Sequence, residues 1–169
     1  MGQKGLKWDM RQLKWSKCKG VSALHCFNWK YNFSLDEKFR LQIPSEVRNS
    51  LQDNDNRTFV ITKGFHDCLF AFPKSAWESR IASSFPDDLP TEVKYERLQA
   101  LSSWSVNCVM DSQYRVKIPD ELIQFASLER KVTIAGVSDR LEIWNSDSYT
   151  KHHQEFVLDP KEIVKDILL

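Results

Sequence analysis

The feature that most constrains this chain is a pattern written twice. Asp36-Glu37-Lys38-Phe39-Arg40-Leu41-Gln42-Ile43-Pro44 returns 75 positions later as Asp111-Ser112-Gln113-Tyr114-Arg115-Val116-Lys117-Ile118-Pro119. Asp, an aromatic residue, Arg, Ile and Pro hold the same offsets. Further on, Val60-Ile61-Thr62-Lys63-Gly64, Asp67, Leu69 and Phe72 answer to Val132-Thr133-Ile134-Ala135-Gly136, Asp139, Leu141 and Trp144, now 72 positions apart. The slip of three arises because Gln52 to Arg57 is longer than its counterpart near Glu129. The chain is a tandem duplication with one loop insertion, so any fold proposed for it must use one supersecondary unit twice.

Local patterns predict what that unit is. Phe27 to Phe33 alternates and is rich in aromatics, which predicts a strand. Leu35 to Lys38 turns the chain and Arg40 to Ile43 returns it. Pro44 opens a short helix, its missing N–H suiting the first helical position, with Val47 and Leu51 as a narrow apolar face. Thr58 to Thr62 and Cys68 to Phe72 form a hairpin around Lys63 to Asp67, and a helix follows from Pro73. Phe85 to Pro90 is a linker, after which Thr91 caps a helix running to about Ser102, with Val93, Leu98 and Leu101 as its apolar positions. The second copy repeats the order: strands at Val106–Met110 and Val116–Ile118, a helix from Pro119, a hairpin around Gly136-Val137-Ser138-Asp139, and a helix from Ser146 to Phe156. The reading is α+β and β-rich. Its segments are a basic arm 1–26, a first half 27–84, a linker helix 85–104, a second half 105–156 and a C-terminal tail 157–169, amphipathic from Pro160, with 27–156 as one compact domain.

Charge and composition narrow the function classes. With 41% hydrophobic and 28% charged residues in 169, a globular domain with a core is expected. No apolar run approaches the roughly 18 residues of a membrane span. Leu6 stands where a myristoylation signal needs Ser or Thr, and Val21 to Phe27 is too short for a signal-peptide core. A cytosolic address is expected, which leaves the sequons at Asn32 and Asn56 silent. Residues 1–30 carry seven Lys/Arg against Asp9, a net of +6, while the rest has 17 basic and 22 acidic residues, a net of −5. A nucleic-acid partner must therefore rest on a local basic patch. The basic arm, with Trp8 and Trp15, reads as a segment lying along phosphate backbones or as an extension without consequence.

Catalytic and metal chemistry find little to stand on. Cys18, Cys26, Cys68 and Cys108 are scattered with no Cys-x-x-Cys, so neither a thiolate metal site nor a disulfide framework is expected. Cys68 and Cys108 lie in apolar runs and read as small core residues. Adjacent His152 and His153 point to different sides of a helix and read as surface residues. There is no Gly-rich phosphate loop and no nucleophile motif. No enzyme, cofactor, metal or small-molecule substrate is expected, and no membrane partner.

The run Phe27-x-Trp29-x-Tyr31-x-x-Ser34-Leu35-Asp36-Glu37-Lys38, followed by Arg40 and Ile43-Pro44, resembles the MraZ family. The second copy and Leu141-Glu142-Ile143-Trp144 resemble it too, so the likeness spans roughly Phe27 to Phe156. The resemblance implies a pseudo-two-fold barrel of two tandem AbrB-like halves (β-hairpin, short helix, β-hairpin) with flanking helices. It implies ring-shaped homo-oligomers and a nucleoid-associated transcriptional regulator that binds double-stranded DNA. The targets would be repeats in its own promoter, at the head of a division and cell-wall gene cluster. Arg40 and Arg115 would be the DNA contacts. One departure matters: the family signature is Asp-x-x-Gly-Arg, and both glycines are aromatic here, Phe39 and Tyr114. Trp29 also replaces a family glycine.

The motif has its own physics. A tight turn with Arg just beyond it projects a permanently charged fork from a β scaffold, able to pair with phosphate or with guanine edges. Asp36 and Asp111 can accept backbone N–H bonds and set where each Arg starts. Lys38, Lys117 and Arg48 are candidates for supporting phosphate contacts. The alternative is that each Arg is tied to its own Asp in a purely structural pair. If the turn requires positive φ, Phe39 and Tyr114 cost about 1–2 kcal/mol each. They would then strain the turn, shift its type, or change its function, either packing across the hairpin or wedging between base steps. The competing expectation is an oligomeric interaction protein that has lost DNA binding along with its glycines.

Overall fold

A computed structural model describes residues 27–86 and 88–156. The basic arm 1–26, with Cys18 and Cys26, and the tail 157–169 lie outside the described residues.

The first copy runs β1 (Phe27–Ser34), β2 (Arg40–Gln42), α1 (Ser45–Ser50), a 3₁₀ turn (Asp53–Asp55), β3 (Thr58–Lys63), β4 (Leu69–Pro73) and α2 (Lys74–Ser83). After α3 (Thr91–Trp104) the second copy follows as β5 (Ser105–Val109), β6 (Arg115–Lys117), α4 (Asp120–Phe125), β7 (Lys131–Ser138), β8 (Arg140–Asn145) and α5 (Ser146–Phe156). Six strands form an antiparallel sheet in the order β1-β7-β8-β4-β3-β5, and β2 pairs with β6 in a separate ribbon. Exchanging the copies (β1 with β5, β3 with β7, β4 with β8) returns the same order read backwards, so the sheet has a two-fold symmetric topology. Each copy's first strand pairs with the other copy's hairpin: Phe27 to Ser34 lies along Ser138 to Lys131, and Thr58 to Thr62 lies along Val109 to Ser105.

The barrel expected from the family likeness is not closed by hydrogen bonds among the described residues. β1 and β5 remain the ends of an open sheet. The three-residue strands β2 and β6 pair with each other and pack against β1 and β5 respectively.

Alternation explains the ribbon's two faces. Leu41 and Val116 are buried opposite one another, and Ile43 and Ile118 continue inward. Arg40, Gln42, Arg115 and Lys117 are carried on the other face, at half-buried or exposed positions. Beneath lie Val47 and Leu122 from the short helices, with Phe59, Ile61, Leu69, Ile134, Leu141 and Ile143 from the sheet, all essentially buried. Burying side chains of this size stabilises by roughly 1.5–3 kcal/mol each, before the entropy of ordering them.

Several element boundaries differ from the sequence expectation. Pro44 and Pro119 stand just before their helices, with ψ of 150° and 144°, and offer their carbonyls to Arg48 N–H and Ile123 N–H. Pro90 does the same for Lys94, so Thr91 is the first helical residue and makes no cap. In the second hairpin Gly136 and Val137 belong to β7, and the reversal is confined to Ser138-Asp139, with Ser138 at φ 56°. The reason is tertiary: β1 lies along all of β7, with Phe27 opposite Ser138, and extends the strand beyond its local signal. The inserted loop also has a structural role. The buried Asp55 carboxylate accepts the N–H groups of Gln52 and Ser75, each at 2.7 Å, tying the 3₁₀ turn to the first turn of α2.

Candidate nucleic-acid interface

Each arginine turn is held by one carboxylate. Asp36 Oδ1 accepts the N–H groups of Lys38 and Arg40, each at 2.9 Å, and Oδ2 accepts Arg40 Nε at 2.7 Å. Asp111 repeats this with Gln113 N–H at 2.8 Å, Arg115 N–H at 2.9 Å and Arg115 Nε at 3.0 Å. Both turns close with the same backbone bond, Phe39 N–H to the Asp36 carbonyl and Tyr114 N–H to the Asp111 carbonyl, each 3.0 Å. The backbone N–H of Arg40 on Asp36, and of Arg115 on Asp111, hold both carboxyls below their ordinary range. Partial desolvation opposes this shift, and the guanidinium groups reinforce it.

The aromatic residues occupy the conformation that suits glycine. Phe39 has φ 53° and Tyr114 φ 62°. Each turn therefore carries a left-handed aromatic residue, at a strain of order 1–2 kcal/mol per site. Their surroundings differ. Phe39 packs against the core, whereas Tyr114 is 44% exposed and lies under two guanidinium groups.

The two turns meet across the ribbon. The Phe39 carbonyl accepts Ile118 N–H, the Tyr114 carbonyl accepts Ile43 N–H, and Gln42 Nε2 donates to the Gln113 carbonyl. Arg40 lies opposite Lys117 and Gln42 opposite Arg115. The guanidinium groups also reach across, Arg40 Nη1 to Asp111 Oδ2 at 3.7 Å and Arg115 Nη1 to Asp36 Oδ2 at 3.6 Å. The result is a four-member cluster of alternating charge, each side chain between 23% and 33% exposed. Lys38 and Lys117 are exposed beside it. Arg48 stands away from this cluster, on α1, with its guanidinium 4.2 Å from the centre of the Tyr114 ring. Arg57, which the sequence reading did not single out, also reaches Tyr114 and donates to the Asp111 carbonyl. Its signal was its place at the end of the inserted loop.

Other chemistry is weak among the described residues. No group of three His, Cys, Asp or Glu side chains is placed to hold a metal. Burial pushes the thiols of Cys68 and Cys108 up to about 12 and about 11, so both stay protonated and poorly nucleophilic. His152 is not the surface residue expected: it stacks on Trp144 at 4.9 Å and lies 4.5 Å from the His66 ring, while His153 is exposed and stacks on Tyr149. Among the described residues no helix is long and apolar enough to cross a membrane.

Comparison with known proteins settles the ancestry of this duplicated scaffold. The family model described as "MraZ protein, putative antitoxin-like" matches residues 27–98 and 103–163. The chain belongs to the MraZ family. A transcriptional regulator MraZ from Alkaliphilus metalliredigens is 34% identical over 139 residues, covering 81% of this chain and 93% of its own. Those of Lactiplantibacillus plantarum and Pediococcus pentosaceus are each 33% identical over 144 residues, covering 84% of this chain and 98% and 96% of theirs. MraZ proteins are regulators rather than enzymes, and this chain is not an enzyme. Each of the two matched segments contains one copy of the repeated Asp-to-Pro pattern, at 36–44 and at 111–119.

Proposed function

We propose that this MraZ protein is a cytoplasmic, nucleoid-associated transcriptional regulator that binds double-stranded DNA at repeats in its own promoter and acts on the division and cell-wall genes. The observation that carries the reading is the meeting of the two arginine turns on the outward face of one short ribbon. Asp36 and Asp111 fix the start of each arginine, so the forks are preorganised rather than floppy, which lowers the entropy lost on binding. Arg40 and Arg115 serve as the base or phosphate contacts, with Lys38, Lys117 and Arg48 on the backbone. We further read the halves 27–84 and 105–156, joined through 85–104, as tandem AbrB-like units; the two-fold symmetric strand order supports this. Self-assembly into a ring draws support from the apolar surface at one sheet edge, where Trp104, Val106 and Val109 are 50%, 41% and 65% exposed.

A second reading has its own observation. Both arginines are already paired with carboxylates, so the cluster is electrically self-satisfied, as expected of an interaction protein on this scaffold without DNA binding. Fluorescence anisotropy against the upstream duplex and a scrambled one, across salt, separates the two. Tighter binding to the native promoter is expected, with Arg40→Ala and Arg115→Ala each costing about 1–3 kcal/mol of binding. If the contacts are to phosphate, the loss is uniform across sequences and the salt dependence flattens. Unchanged binding in the folded double variant would refute the arginine turns as the contact.

A further inference from the structure

The self-satisfied Arg40 and Arg115 direct attention to the arginines near them that carry no ion pair among the described residues. These are Arg48 and Arg57, and one ring brings them together. The guanidinium of Arg48 lies 4.2 Å and that of Arg57 5.4 Å from the centre of the Tyr114 ring. Arg57 is rooted in the second turn through its bond to the Asp111 carbonyl. Arg48 Nε is buried without a hydrogen-bond partner among the described residues. Together they wall an open cleft of about 510 Å³ that also takes in Asp53, Asn56 and Met110. Two guanidinium groups face one carboxylate, Asp53, so the lining carries a net positive charge, with the amides of Gln52 and Asn56 as its neutral polar groups.

The first turn lacks the residues that build this cleft. At the offsets of the duplication, Arg48 corresponds to Ile123, Arg57 to Glu129 and Tyr114 to Phe39. Ile123 is buried in the core and Phe39 packs against it. The arrangement therefore belongs to one half of a symmetric scaffold, and it depends on the aromatic residue at Tyr114, because a glycine there would leave the guanidinium groups no ring to lie on.

We propose that the Arg48–Tyr114–Arg57 cleft is a clamp for one DNA backbone phosphate, so that the two turns grip the duplex unequally and orient the protein on it. Planar guanidinium forks match the oxygens of a phosphodiester, and stacking on Tyr114 orders them before binding. Specificity at the ribbon and position at the clamp are then separate tasks. The inference rests on the DNA-binding reading above, which already sets Arg48 on the backbone, and adds to it Arg57, Tyr114 and a polarity.

The test uses the full chain and its upstream duplex, with fluorescence anisotropy across salt. Arg48→Gln and Tyr114→Gly are the variants; the second keeps the turn, since glycine tolerates the left-handed φ. Each is expected to weaken binding about 5- to 10-fold, on promoter and scrambled duplex alike, and to reduce the salt slope by about one. A second readout isolates the contact: duplexes carrying one methylphosphonate at successive backbone positions. Wild type should lose affinity at a position with no equal on the opposite side of the repeat, and Arg48→Gln should show no further loss there. Folded variants with wild-type affinity and slope, or a methylphosphonate profile symmetric about the repeat, would overturn the clamp and leave DNA binding intact. Failure of the wild type to bind either duplex would overturn both.

Discussion

At Asp36 and Asp111 one carboxylate organises a whole turn: one oxygen accepts two backbone N–H groups and the other orients an arginine. Charge-assisted bonds of this kind hold both carboxyls below their ordinary range. The sign of the pH effect follows. A folded-state pKa below the unfolded value of about 3.9 means the contribution is complete above that value and is lost as pH falls through the lowered folded one. The thermal midpoint of wild type, followed by circular dichroism from about pH 6 down to about pH 2, should therefore drop more steeply than that of Asp36→Asn with Asp111→Asn. Parallel curves would remove these carboxylates from the acid response. This much of the site was legible in the residues, because an Asp bonding to backbone two and four positions on is a local geometry. The crossing pairs, Arg40 with Asp111 and Arg115 with Asp36, were not, since they link residues of different copies.

Among the elements, the two hairpins show how a turn can be foreseen and its mechanism still missed. The sequence places a turn at Lys63 to Asp67, and the chain turns there. Yet the left-handed conformations fall on His66 and Asp67, at φ 54° and 57°. Gly64 serves by having no side chain: a Cβ on it would lie 2.8 Å from Cys68 Sγ and 2.8 Å from two carbons of the Phe70 ring. Phe70 sits between Arg140, 4.5 Å from its ring centre, and Phe65, at 5.5 Å between ring centres in an edge-to-face arrangement, so a shift of its ring disturbs both contacts. Gly64→Ala should cost about 1–3 kcal/mol of stability through overpacking, read as a lower urea midpoint. An unchanged midpoint would mean the hairpin yields more readily than its packing suggests.

For the whole molecule the consequence of exchanged first strands is interdependence. β1 has its partner in β7 and β5 has its partner in β3, so neither half holds its own first strand. Residues 27–84 expressed alone would leave β1 without its partner strand and β3 with an unsatisfied edge. That fragment should show no cooperative thermal transition, while 27–156 should unfold in one step, followed by far-ultraviolet circular dichroism. A folded, monomeric half with a sharp transition would show that the exchange is not required for stability.

The sequence by itself determined the duplication, the family, the strand-rich α+β character, and the two carboxylate-held turns. Each of these rests on contacts within a few residues or on a pattern repeated along the chain. Tertiary structure decided the partners. Alternation of apolar residues tells which face of a strand is buried but not which strand lies beside it. The length of β7, the open edges of the sheet, the carboxylate pairs between turns and the stacking of Arg48 and Arg57 on Tyr114 all depend on which strand lies beside which. Proximity between residues distant in sequence is a property of the packed core, and no local periodicity encodes it.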